Sequence, residues 1–575
     1  MLRLTKYLKP YALMAMSVVV LVFLQVLADL KLPNLMATIV DGGIMKGNTG
    51  LIWDTGKVML LIALGGAVCA VIAGYFSSRT SVGLGRDLRG KVFSHVESFS
   101  LHEFDKIGTA SLITRTTNDV TQIQMVMMLI LNMVVRAPVM CIGGVVMALS
   151  EDARLSWILA AVIPVVAAVV VFLASMGLPL FSAMQKKIDR LNLVLREGLT
   201  GVRVIRAFNR EDHEARRFDD ANRDLTQNAI RVYRLMNAAM PVMMLTMNFT
   251  TIAIMWAGSH RVDAGTLEVG RMMAFIQYAM QILMSLLMVS MIFVMLPRAA
   301  ASADRINQVL DSVPEIVDKE EATKSDSERG HIEFKDVSFS YPGAEAPALS
   351  HVSFKAGPGQ VTAILGGTGS GKSTLVSLIP RFYDVSSGQV LVDGVDVREM
   401  TQEDLRARIG FVPQKAVLFS GTVADNVRFG KLDATDEEVR HATETAQALD
   451  FVSEMKEGFN SLIAQGGTNV SGGQKQRLSI ARALVRRPEI CVFDDSFSAV
   501  DFKTDANLRA ALKSETKDAT VIIVAQRVST VMGADRIVVL DEGAVAGIGT
   551  HKQLMKTCEV YREIVLSQLS EEEIA

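Results

Sequence analysis

Apolar and polar positions along this chain follow two different regimes. Up to about residue 300, apolar residues run together in stretches long enough to cross a bilayer, which takes roughly 20 residues. Six such stretches occur, at 11–30, 57–78, 125–149, 155–178, 236–258 and 272–297. Pro138, Pro179 and Pro241 lie in or beside them, and helices bundled in lipid tolerate proline better than soluble helices do. From residue 331 the pattern changes to short strand-like runs, 360-QVTAIL-365, 489-EICVF-493 and 520-TVIIVA-525, alternating with helical stretches. That alternation predicts an α/β domain with parallel strands. Between the regimes, 314–330 (PEIVDKEEATKSDSERG) is polar, charged and opened by Pro314, the signature of a linker. The predicted organisation is an all-α transmembrane domain of six helices over 1–313, a linker over 314–330, and an α/β domain over 331–575.

Charge in the loops orients the membrane half. Arg3, Lys6 and Lys9 precede the first stretch, and Arg79, Arg86, Arg89, Lys91, Lys106 and Arg115 separate the second from the third. Twelve basic residues lie from Lys186 to Arg234, whereas 41–56, 150–154 and 259–271 hold few. The positive-inside rule places both termini, the two long loops and the α/β domain in the cytoplasm. The loops are too long for simple turns, and 183-AMQKKIDRLNLVLREGLTGVRVIRAFNRED-212 mixes apolar and charged residues at helical spacing. Helices that continue past the bilayer are expected. The first stretch has no small-x-small cleavage pattern, so it reads as an anchor. No transit peptide is recognised, which points to a bacterial cell (inner) membrane.

Composition narrows the classes. The chain has 575 residues, 59 basic and 61 acidic, for a net charge of −2. Near neutrality gives no argument for nucleic-acid binding. Cys69, Cys141, Cys491 and Cys558 have neither metal-type nor CxxC spacing. Of 31 methionines, 27 precede residue 300.

The strongest motif is 366-GGTGSGKST-374, directly after a predicted strand. It fits G-x-x-x-x-G-K-[ST]: Gly366, Gly367, Thr368, Gly369, Ser370 and Gly371 let backbone N–H groups curl around phosphates at the start of a helix that continues through Thr374. Lys372 would reach the β- and γ-phosphates and Ser373 would ligate Mg²⁺. The run 489-EICVFDD-495 ends a buried strand in two acids. Asp494 is placed to hold Mg²⁺ and Asp495 to orient an attacking water. In 470-VSGGQKQR-477, Ser471, Gly472, Gly473 and Gln474 form a second backbone anion site at a helix start. One nucleotide does not need two such sites from one chain, so two domains would sandwich ATP.

This order of motifs resembles an ATP-binding cassette (ABC) domain fused behind six spans, the half-transporter layout of type-I (type IV) ABC exporters. The resemblance covers nearly the whole chain and implies ATP with Mg²⁺, and a second half-transporter as partner. It implies further that Tyr341 in 338-SFSYPG-343 stacks on adenine and that Gln414 contacts Mg²⁺ or water and senses the γ-phosphate. Ser498–Ala499–Val500–Asp501 resembles the D-loop, and Arg527, Asp535 and Gly543 fit the downstream pattern. Segments near Thr109–Arg115 and Gly201–Phe208 resemble coupling helices that touch the ATP domains.

Three positions depart from the family. Asp495 stands where the catalytic Glu is expected, Gln526 replaces the switch histidine, and Gln465 replaces the Glu of the stretch before the signature. Asp is one methylene shorter than Glu, and Gln cannot carry a proton charge as His can. Together they resemble the degenerate-site subunit of a bacterial heterodimeric multidrug exporter: ATP bound tightly and hydrolysed poorly at this chain's own site, with an intact signature lent to the partner's. A slowly hydrolysing homodimer and an ATP-gated channel or regulator are the alternative readings. Thirteen methionines in spans five and six suit either helix packing or an amphipathic, drug- or lipid-like cargo. Asp29 and Arg136, charged and in or near spans, are expected to pair locally, touch cargo or mark a span boundary.

Overall fold

A computed structural model of the chain describes residues 2–319, 321, 323, 329–498 and 501–569. The chain divides into two compact units, one of Met1–Glu97 with Thr109–Ser312 and one of Ser98–Gly108 with Val313–Ala575.

The first unit is helical throughout. Its long helices are α1 (Ala12–Thr38) and α2 (Thr49–Glu97). Then come α4 (Thr109–Glu151), α5 (Ser156–Thr200), α7 (Glu211–Asp263) and α8 (Val269–Leu310), with a six-residue α6 (Val202–Ala207) between α5 and α7. The short α3 (Leu101–Ile107) belongs to the second unit. Among the described residues six helices carry windows apolar enough to cross a membrane, and each expected stretch overlaps one of them. In the α2 window only 6% of residues are buried within the protein, as expected of a surface whose solvent is lipid. The helices run well beyond bilayer length because their polar ends stay helical, as the charged loops predicted.

α1 packs on α2, α5 on α7, and α8 on α4 and α1. Val18, Val22, Val26 and Leu30 of α1 close against Phe275, Tyr278 and Ile282 of α8. The Tyr278 hydroxyl donates to the Leu30 carbonyl at 2.9 Å, so the one polar atom of this buried ring is satisfied. Met243 and Met247 are buried with Val166 and Leu283, which assigns them to helix packing; Met244 and Met284 remain exposed. Asp29 and Arg136 pair with each other at 3.2 Å. Asp119, on a π-turn at Arg115–Asp119, is buried and accepts from Arg305 Nε at 2.7 Å and from Ser302 Oγ at 2.9 Å. This joins α4 to α8.

The second unit holds a six-stranded sheet in the order β12-β11-β3-β10-β9-β6. Its strands are β3 (Val361–Gly366), β6 (Ile409–Val412), β9 (Ile490–Asp494), β10 (Thr520–Val524), β11 (Arg536–Asp541) and β12 (Ala544–Gly549). All neighbours pair in parallel except β11 with β12. β9 and β10 are buried at every position, which is why their sequences read as continuous apolar runs. A second, antiparallel sheet runs β2-β1-β4-β5, from β1 (Ile332–Phe339), β2 (Leu349–Ala356), β4 (Ser387–Val392) and β5 (Val395–Asp396), and the short β7 (Gly421–Thr422) pairs with β8 (Leu462–Ile463). The strand–helix alternation did not announce this sheet. In the described part of the expected linker, Lys319 pairs with Glu399 at 2.5 Å and Asp318 accepts from the Gln402 backbone N–H at 3.1 Å.

Candidate nucleotide-binding site

Four motifs that are far apart in sequence leave the sheet from neighbouring strands. β3 runs into the phosphate loop, β10 into Gln526, β9 into Asp494 and Asp495, and β6 into Gln414. Because β3, β10, β9 and β6 are adjacent and parallel, their carboxyl ends emerge side by side. Ligands of open α/β sheets bind at such an edge.

The phosphate loop ends in α9 (Lys372–Ser377), capped by Gly371 at φ +90°. Gly371 also lies so close to the Ala348 carbonyl that an added Cβ would meet it at 2.6 Å. Both facts require glycine there. Lys372 is buried, and its Nζ donates to the carbonyls of Gly366 at 2.9 Å and Gly367 at 2.6 Å. Burial lowers its pKa, with Asp495 and Asp494 opposing the shift. Three loop oxygens, counting Ser370 Oγ at 3.4 Å, thus stand where a phosphate would relieve a buried cation. Ser373 Oγ donates to Asp494 Oδ1 at 3.0 Å. The hydroxyl and the carboxylate expected to hold a divalent ion therefore already face each other. Burial raises the Asp494 pKa, a tension that a bound cation would remove.

Asp495 follows β9 at φ +46°, a left-handed position that Asp tolerates better than most residues. Its N–H donates to the Val524 carbonyl at 3.0 Å, tying the ends of β9 and β10. Its Oδ2 accepts from Gln526 Nε2 at 3.1 Å and, at longer range, from Gln414 Nε2 at 3.4 Å. Burial raises its pKa too. Tyr341 lies beyond β1, its hydroxyl 3.0 Å from Thr374 Oγ1. It meets Phe339 and Tyr383 edge-to-face, with centroids at 4.9 and 5.5 Å, and stays 39% exposed. That leaves ring surface for a base.

The signature starts α10 (Gly472–Leu484) through a capping box: Ser471 Oγ accepts from the Gln474 N–H at 3.3 Å, and Gln474 Oε1 accepts from the Ser471 N–H at 2.8 Å. Two first-turn N–H groups, of Gly472 and Gly473, are left for an anion. Among the described residues no hydrogen bond joins Ser471–Gln474 to the phosphate loop of the same chain. Gln465 lies in a 3-10 turn, Gln465–Gly467. Of the expected D-loop, Ala499 and Val500 lie outside the described residues; Ser498 Oγ donates to the Asp495 carbonyl at 3.0 Å, and Asp501 caps α11 (Phe502–Glu515). The structure gives three downstream positions structural duties. Arg527 donates to the Ser498 carbonyl at 3.3 Å, Asp535 accepts from the Val361 N–H at 2.8 Å, and Gly543 turns at φ +82°.

Two features escaped the sequence reading. Thr109–Arg115, expected as a coupling segment, forms the first turns of α4, and α3 just before it groups with the second unit. The signal was present: Ser100-x-x-Glu103 is a capping box, and Gly108 at φ +80° ends the helix. Within the second unit the Glu315 N–H donates to Glu103 Oε1 at 3.3 Å. Gln568, distant from every motif, proves to touch the Gln526 loop.

A phosphate loop at the carboxyl edge of a parallel sheet, together with six helices among the described residues that are long and apolar enough to cross a membrane, is the combination expected of a nucleotide-driven membrane transporter. Comparison with known proteins gives the family. Residues 15–286 match the family model described as the ABC transporter transmembrane region and residues 349–498 the one described as ABC transporter. An uncharacterized ABC transporter ATP-binding protein of Mycobacterium tuberculosis (strain H37Rv) is 44% identical over 570 residues, covering 98% of this chain and 97% of that one. The ATP-dependent lipid A-core flippase of Desulfotalea psychrophila is 34% identical over 473 residues, covering 82% of each. A solved bacterial Atm1-family ABC exporter with ATP bound superimposes with a TM-score of 0.80 at 25% identity, covering 98% of this chain and 99% of that one. The chain belongs to the ABC transporter family and is an exporter half-transporter: a multi-pass membrane protein whose ATP-binding domain couples ATP hydrolysis to transport.

Proposed function

We propose that this chain is the degenerate-site half of a heterodimeric ABC exporter that moves amphipathic, drug- or lipid-like cargo out of the cytoplasm or inner leaflet of a bacterial cell membrane. The observation that carries this reading is the environment of Asp495. Its carboxylate oxygen already accepts from two primary amides, Gln526 and Gln414, and among the described residues no histidine hydrogen-bonds it. An amide can hydrogen-bond a γ-phosphate but cannot take up a proton, and a shortened carboxylate sits too far back to align water well.

In this reading Tyr341 stacks on adenine, and residues 366–374 hold the phosphates with Lys372. Ser373, Asp494 and Gln414 hold Mg²⁺, which supplies charge neutralisation at the phosphate oxygens. Gln526 donates to the γ-phosphate and Asp495 faces the attacking water, without driving rapid hydrolysis. Ser471, Gly472, Gly473 and Gln474 complete the partner's competent site. ATP at both sites closes the two cytoplasmic domains, coupling segments carry the closure to the spans, and hydrolysis at the competent site resets it. Val204 at 61% and Phe208 at 72% exposure, on or beside the six-residue α6, support a contact with a partner. The basic loops support a cytoplasmic ATP domain, and the flippase among the relatives supports a lipid-like cargo.

The test is ATPase rate and subunit composition of the chain purified alone and co-expressed with the neighbouring gene product. Activity confined to a one-to-one complex, abolished by changing the partner's catalytic Glu and only reduced by Asp495→Ala, is expected. Robust ATPase and ATP-driven export by this chain alone would overturn the heterodimer and make Asp495 and Gln526 working catalytic variants. An ion current without cargo movement in vesicles would overturn the exporter cargo reading.

A further inference from the structure

The loop that carries Gln526 is held from behind by a side chain far away in sequence. α12 (Val528–Val531), only four residues long, starts two residues after Gln526. Its first N–H, on Val528, donates to Gln568 Oε1 at 2.8 Å, and Gln568 Nε2 donates to the Gln526 carbonyl at 2.8 Å. One primary amide thus bridges the C=O of a residue and the N–H two residues on, as a neighbouring strand would. Helix starts leave such N–H groups without partners, and no turn of helix precedes this one to supply an alternative.

Gln568 ends α13 (Glu559–Gln568), and that helix is well anchored. Tyr561 and Val565 are fully buried in the core beneath β3 and β10, and the Tyr561 hydroxyl lies 2.7 Å from His551 Nδ1. On the other side of the loop, the Gln526 side chain reaches Asp495 Oδ2 at 3.1 Å, and Arg527 reaches the Ser498 carbonyl at 3.3 Å. Gln526 is therefore set between two clamps, one on its backbone and one on its side chain. A backbone displacement of about 1 Å at this point would carry the side-chain amide out of hydrogen-bond range.

We propose that Gln568 is a positioning residue of the nucleotide site: its side-chain amide brackets the Gln526–Val528 backbone and holds the Gln526 amide where a γ-phosphate would sit. This rests on the reading of Gln526 as a γ-phosphate contact. It makes α13 part of the machinery that retains nucleotide at this chain's own site, with no direct contact to ATP. Tight retention, the property the degenerate site needs, then depends on an interaction outside every motif.

The test uses the full-length assembly, purified through a tag on this chain and reconstituted in nanodiscs. Radiolabelled 8-azido-ATP with Mg²⁺ is bound, chased with unlabelled ATP for increasing times, and photolysed; label on this chain reports its own site. Gln526→Ala and Gln568→Ala are each expected to release nucleotide about five- to tenfold faster, the effect of one lost hydrogen bond of ordinary to charged strength. The double variant is expected to release no faster than either single one. Gln568→Glu keeps an acceptor for the Val528 N–H but sets an oxygen against the Gln526 carbonyl. It should behave like Gln568→Ala, and it serves in its place if that variant does not fold. Parental release from Gln568→Ala and Gln568→Glu, with fast release from Gln526→Ala, overturns the bracket alone. Additive effects in the double variant also overturn it, since they make Gln568 a stability residue independent of the loop. Parental release from Gln526→Ala overturns the reading of the site itself.

Discussion

On the proposed reading Asp495 and Gln526 slow hydrolysis at this site, so restoring the longer acid and the imidazole should speed it. The perturbation is Asp495→Glu with Gln526→His. Glutamate advances the carboxylate by one C–C bond, about 1.5 Å. A misplacement near 1 Å costs roughly 100-fold, and a well-placed general base contributes about 10²–10⁴-fold. A 100-fold gain is about 2.7 kcal/mol of barrier. Against it stands the left-handed backbone at Asp495, φ +46°, where a side chain less suited than Asp costs at most about 1–2 kcal/mol. That cost falls on folding, not on the barrier, so the gain in rate survives it. The 3.4 Å contact from Gln414 is long and yields easily, and the 3.1 Å contact from Gln526 is replaced by the imidazole. The assay is phosphate release by the two-chain complex with the partner's catalytic Glu changed to Gln, so that turnover reports this chain's site. The parent should lie near background, Asp495→Glu about tenfold above it and the double variant about 100-fold. Parental turnover in a double variant that folds and binds ATP normally would refute the reasoning.

Three further outcomes follow from the same structure. Burial raises the pKa of both Asp494 and Asp495, so in the nucleotide-free chain their protonation favours the folded state at low pH, and that contribution is lost as pH rises through the raised values. Mg²⁺–ATP needs them ionised. Affinity measured by titration calorimetry should therefore weaken on acidification while still above the ordinary carboxylate range near pH 4, and Asp494→Asn should flatten the profile. Tyr341→Ala should weaken ATP binding by about 1–3 kcal/mol, the worth of one base–aromatic stack, while Tyr341→Phe, which loses only the Thr374 contact, should change it little; equal losses in fluorescence titrations would exclude stacking. Arg305→Ala leaves the buried Asp119 carboxylate without its counter-charge, with Ser302 Oγ still donating to it, and should destabilise by about 3 kcal/mol, whereas Asp119→Ala leaves the half-exposed Arg305 in solvent and should cost less; the reverse order in thermal unfolding would refute the burial argument.

Residue order alone settled much of this protein. Apolar runs of bilayer length located six helices, because lipid leaves a spanning segment no partner for its backbone except itself. The glycines and lysine of 366–374 and the acids at 494 and 495 announced a nucleotide site, because their chemistry is local and their spacing is short. The departures Asp495 and Gln526 were visible for the same reason. Strand adjacency decided the rest. That β10 lies between β3 and β9 brings Gln526 onto Asp495, and no local pattern encodes that order. Tyr341 rests on Tyr383 and Thr374, and Asp119 on Arg305, through contacts between segments with no shared periodicity. Met243 and Met247 look the same as exposed Met244 in the sequence, and only the packing of α7 against its neighbours separates them. Gln568 is the clearest case. A solitary glutamine at a helix end carries no motif, and it gains meaning only because the tertiary fold sets it against the loop of Gln526.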